Sequence, residues 1–78
     1  MLKYFFHLHN HLESRDREGK FLPDLNAARE VAISAARDIM SNNIKDGELC
    51  LSHRIEVEDA SGRKVLVLRF GEALSILP

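Results

Sequence analysis

The stretch from Pro23 to Asn43, PDLNAAREVAISAARDIMSNN, most constrains what this chain can become. It is the only long helical signal, and the segments on both sides read as short strands. Asp24 is placed to cap it, because its carboxylate can accept from the unpaired amides of the first turn. Its charge also suits the positive end of the helix dipole. Pro23 holds Leu22 extended, so the chain enters the helix at a corner. At about 100° per residue, Leu25, Ala28, Ala32, Ala35, Ala36 and Ile39 gather on one face, with Ile33 outside the stripe. A face this rich in alanine predicts a helix axis lying close to whatever it covers. Asn42, Asn43 and Gly47 supply stop signals.

The flanks need that face. Leu2 to His9 alternates, with Leu2, Tyr4, Phe6 and Leu8 on one side and Lys3, Phe5, His7 and His9 on the other. Leu12 to Asp16 reads as a short return strand, Glu18-Gly19 as a turn, and Phe21-Leu22 as an extended lead into the helix. After the helix, Leu51 to Glu58 reads as a strand with Ile55 and Val57 facing one way. Asp59-Ala60-Ser61-Gly62 is a hairpin turn, in which Gly62 takes the left-handed conformation of a bulged loop. Val65 to Phe70 returns, with Leu66, Leu68 and Phe70 on the core side, and Gly71 to Leu74 suits a terminal helical turn. The expected fold is α+β: a single domain over residues 1–78, ordered β-β-α-β-β, with one antiparallel four-stranded sheet and a single helix on one face.

Seventy-eight residues bury only roughly 60% of their unfolded surface, so the stability of such a domain is modest or shared with a partner. Eleven basic against twelve acidic side chains argue against a dedicated nucleic-acid binder, which carries a basic excess. The single cysteine, Cys50, excludes an internal disulfide. The run YFFHL is too short for a membrane span or the core of a signal peptide, so the expected setting is cytoplasmic with no membrane partner.

The chain resembles a family of small bacterial proteins known only as a domain of unknown function. The residues that carry the resemblance are Tyr4-Phe5-Phe6-His7, then Asp16, Glu18 and Gly19, then Leu22-Pro23-Asp24-Leu25 with Ala27-Ala28-Arg29. Ile55, Val57, Asp59, Gly62-Arg63 and Phe70 complete the set. The resemblance implies a bacterial source and a free-standing domain, and it implies no reaction. The chain departs from the family pattern at Asn10-His11-Leu12-Glu13, where a shorter turn is usual.

Three constellations could carry chemistry. His7 and His9 share one strand face, and His11 would join them if the strand ran on, which is the donor chemistry of zinc, copper or nickel. Against this stands their reading as solvated positions on an uncovered face. Cys50 and His53 are three residues apart, which on a strand points them to opposite faces, so Cys50 reads as a small buried apolar residue. Arg15, Arg17 and Lys20 could converge with Arg63, Lys64 and Arg69 beside Tyr4 and Phe5, but glutamates interleave with them. No glycine loop for phosphate is present, and no cofactor is expected.

The reading that remains is a non-enzymatic interaction or regulatory module. One helix covers one sheet face, leaving Phe5, Val65 and Val67 as an apolar strip on the other. Burial of that strip in a homodimer, or against another protein, is the expected outcome. Divalent-metal binding through His7, His9 and His11 and weak nucleic-acid binding are the alternatives.

Overall fold

A computed structural model describes residues 1–78. Helix α1 spans Leu25–Lys45, and the Asp24 carboxylate accepts from the Ala27 amide at 2.8 Å, as the sequence predicts. The helix ends where Gly47 turns left-handed at φ 83° and its amide bonds back to Ile44 O. Ala28, Ala32, Ala36 and Met40 are its fully buried residues. A spacing of four makes the contact stripe narrower than the sequence suggests. Ala35 and Ile39 lie at its margin, and so does Ile33, which the helical wheel leaves outside. Leu25 is 42% exposed, because it starts the helix beyond the edge of the sheet contact.

The sheet contains β1 (Leu2–His9), β2 (Glu13–Ser14), β3 (Lys20–Leu22), β4 (Arg54–Asp59) and β5 (Lys64–Arg69), all pairing antiparallel. Strand β1 is central. One of its edges pairs with β4 from Tyr4↔Asp59 to His9↔Arg54, and β5 continues the sheet beyond β4. Its other edge is shared: β2 pairs near Leu8 and His9, and β3 pairs near Leu2 to Tyr4. The α+β class and element order follow the sequence, with one correction. The extended lead through Phe21-Leu22 is itself a strand, so the sheet has five strands rather than four.

Side-chain alternation then divides the sheet. Tyr4, Ile55, Val57, Leu68 and Phe70 point to the helix and are buried, and Phe6, Leu8, Leu22 and Leu66 pack around them. A register shift falls between Val57 and Glu58, where Val57 faces Leu66 but Glu58 faces Lys64. Val65 is the extra residue in this bulge. It packs against the core cluster instead of standing on the open face, which removes it from the expected apolar strip. A single 3-10 turn at Phe70–Glu72 closes the fold, and Arg37 of the helix anchors it by donating from Nε to Ala73 O at 2.8 Å.

Candidate functional site

The helix covers one sheet face only. On the other, the middle of β1 is bridged by the connection between β2 and β3. Across this gap the edge of β1 away from β4 has no neighbouring strand, and the Asp16 side chain takes the place of one. Its carboxylate accepts from the Phe6 amide at 3.1 Å, from the Glu18 amide at 3.0 Å and from the Gly19 amide at 3.1 Å. Burial pushes the Asp16 carboxyl up, but the amides of Phe6, Gly19 and Glu18, with His7 nearby, outweigh it and hold the group below its ordinary value.

His7 locks the same connection from the other direction. Its Nδ1 accepts from the Asp16 amide at 3.0 Å, and its Nε2 is hydrogen-bonded to Glu58 Oε1. An Nδ1 that accepts requires the uncharged ring to carry its proton on Nε2, the donor to Glu58. The ring is 4% exposed, so the expected solvated position is in fact buried under Asp16 and its neighbours. Arg15 completes the arrangement, donating to Glu58 Oε1 and Glu13 Oε1, each at 3.1 Å. Six of the residues behind the family resemblance, Phe5 to His7 with Asp16, Glu18 and Gly19, therefore lie along one junction.

Next to it lies Glu56. Arg54 Nε donates to its Oε2 at 2.8 Å, and Lys64 Nζ stands 3.2 Å from its Oε1. The Arg54 hydrogen bond, helped by Lys64 and His9 and opposed by burial, holds the carboxyl down at about 2. His9 Nε2 is 3.3 Å from Glu56 and 3.8 Å from Glu13. This buried nitrogen is within ion-pair distance of both carboxylates and hydrogen-bonded to neither.

At the far end of β1 the face becomes aromatic. Lys3 Nζ lies 5.5 Å from the Phe5 ring centre and 5.4 Å from that of Phe21, which is 60% exposed. Gly19 (φ 73°) passes directly beneath, where a Cβ would come within 2.9 Å of both the Lys3 stem and the Phe5 ring. Phe21 was not among the residues the sequence singled out. Its place on this face follows only from the Lys3↔Phe21 pairing of β3 with β1.

The three histidines are not brought together. His7 has both ring nitrogens engaged, His9 leans toward Glu56, and His11 stacks edge-on against His53 at 5.0 Å. No group of three or more His, Cys, Asp or Glu side chains is placed to hold a metal ion. Cys50 is only partly buried, contrary to expectation. Its Sγ lies 3.4 Å from Ser52 Oγ, and that contact is the main cause of a lowered thiol pKa. The two basic groups do not converge either. Arg15, Arg17 and Lys20 belong to the β2–β3 edge, whereas Arg63, Lys64 and Arg69 belong to the opposite edge. Tyr4 is buried under the helix and cannot stack with them.

No helix is long and apolar enough to cross a membrane. No curated protein matches the chain, and no solved structure does. A family model described as a domain of unknown function, DUF6894, matches residues 3–71. The match spans both faces of the sheet and the whole helix, and the chain belongs to that family.

Proposed function

We propose that the protein is a non-enzymatic interaction module that forms a homodimer through the helix-free face of its sheet. The observation supporting this is the make-up of that face. Phe5, Phe21 and Val67 stand among carboxylates that already have partners within the chain: Glu58 with His7 and Arg15, Glu56 with Arg54 and Lys64. Covering such a face removes aromatic surface from water, at about 25 cal/mol per Å², without stranding an unpaired anion. The apolar groups are not one strip, since Glu56 and Glu58 of β4 lie between Phe5 and Val67. The centre of the interface is therefore the Phe5–Phe21 pair. Sedimentation velocity at tens of micromolar tests this. The wild type is expected to dimerise, and Phe5→Glu or Phe21→Glu to give monomers of unchanged helix content. A monomeric wild type would refute the reading.

The reading includes a bacterial, cytoplasmic setting, supported by a lone cysteine that needs no oxidising compartment. Cell fractionation checks it. One observation favours a second reading, single-stranded nucleic acid: the two rings flank a lysine, as stacking platforms do. Binding of a labelled oligonucleotide that weakens steeply with salt would support it, and none at low salt would end it.

A further inference from the structure

The sheet also has an unpaired edge along β5. The direction of its backbone groups follows from one bond: the Phe70 amide donates to His53 O at 2.8 Å. Pairing alternates along an antiparallel ladder, so Leu66 and Leu68 turn their amides to β4 while Val67 and Arg69 turn theirs outward. The outward Arg69 amide is already taken. The Glu72 carboxylate accepts from it at 2.9 Å, standing where the oxygen of a neighbouring strand would be. At the other end of the edge, the bulged Val65 is one wall of a groove of about 300 Å³, shared with Leu2, Tyr4, Leu25 and Ala60 and also lined by Lys3, Asp59 and Ser61. The edge thus offers backbone hydrogen bonds at Val67 and a side-chain pocket at Val65.

Charge decides what fits there. Arg63 and Lys64 stand at one end of the strand and Arg69 at the other. A second copy of β5 would set cation against cation in either orientation, which is destabilising across a strand pair. Lys64 has Glu56 as a partner; Arg63 and Arg69 form no ion pair, although Asp59, which accepts from the Arg63 amide, lies near enough to feel the Arg63 charge. Glu72 on the Arg69 amide displays the complementary group. We propose that the β5 edge and its groove receive an extended acidic segment of a different protein, which adds a strand to the sheet and seats one apolar side chain between Val65 and Leu25.

The test is a titration of 15N-labelled protein with an octapeptide alternating glutamate and valine, against its lysine-valine counterpart. Only the acidic peptide is expected to shift the Val65, Val67 and Arg69 amides and to slow solvent exchange at Val67. Reversing charge with Arg63→Glu and Arg69→Glu together should weaken it roughly tenfold or more. Both side chains are exposed, so the fold survives the change. Glu72→Ala, which vacates the Arg69 amide, should tighten it. Three results would each overturn the proposal: no response of these amides at millimolar peptide, an equal response to the lysine peptide, or edge shifts that grow with protein concentration alone. The homodimer reading uses the face of Phe5, so its failure would leave this outcome untouched.

Discussion

The two faces of the sheet are covered by opposite means. Toward the helix, coverage is apolar and close: Ala28, Ala32 and Ala36 have no exposure and lie against Val57, Leu68 and Phe70, which have none either. On the other face, coverage is polar and local. The connection around Asp16 is held down by His7, Glu58 and Arg15 rather than by packing. The first arrangement is sensitive to volume and indifferent to pH. The second is sensitive to the loss of a single acceptor, because Asp16 alone serves three amides. A small domain can therefore cover one face with a helix and the edge of the other with a single side chain. The first gives bulk stability, and the second gives shape.

Substitutions can break that contrast. The largest effect should come from Phe70→Ala, which empties the core and is expected to cost about 3–5 kcal/mol in denaturant unfolding. Ala32→Leu should cost about 1–3 kcal/mol by overpacking, and Ala35→Leu less, since Ala35 lies at the margin of the contact. The reverse order would mean a helix rotated from the orientation described. Asp16→Ala should cost about 1–3 kcal/mol, with faster hydrogen exchange confined to Phe6, Glu18 and Gly19. Exchange accelerated throughout the sheet would show the junction to be part of the core after all.

Glycines sharpen the same comparison. Gly62 is left-handed with open space around it, so Gly62→Ala should cost about 1 kcal/mol from backbone strain alone. Gly19→Ala adds a steric clash with Phe5 and Lys3 and should be the worse of the two. Thermal melts of the two variants decide this. The smallest effect is that of pH. Glu56 and Asp16 both have lowered pKa values, so their contribution is complete above the ordinary carboxylate range. It is lost as pH falls through the lowered values, to about 2 for Glu56. Glu56→Gln should flatten the acid limb of the melting curve only slightly, because Arg54 and Lys64 are well exposed and solvent screens them. A steep limb that survives the substitution would assign the effect to Asp16 and to Asp59, whose carboxyl the Ser61 hydroxyl also holds below its ordinary value.

The helix side was legible in the sequence and the open side was not, for a physical reason. Alanine periodicity, the Asp24 cap and the Asp59–Gly62 turn are local signals, and the helix and hairpin followed them. Strand β3 is three residues long and ends against Pro23, too short for alternation to declare itself. Met40 falls outside a stripe stepped by threes and fours from Leu25, whereas the helix crosses the sheet in steps of four. Alternation places His7 on the correct face but does not reveal its burial, since nothing in its neighbours' spacing shows that Asp16 folds back over it. The Asp16-x-Glu18-Gly19 spacing does carry the mark of a side chain bonding its own following backbone, and so was readable as a turn built on Asp16. Val65 escaped because one inserted residue shifts the face of everything before it.

The central pairing of β1 with β4 has a kinetic consequence. The hairpin of β4 and β5 and the helix can each begin locally, but the middle of the sheet exists only when the first strand meets the fourth, with the whole helix in the intervening loop. Closing that loop comes before most of the burial that rewards it. Capture of β1 is thus the natural barrier to folding, and the Asp16 junction, which needs β1 already in place, forms on the native side of it. Damage to β1 should slow folding, whereas damage to the junction should hasten unfolding.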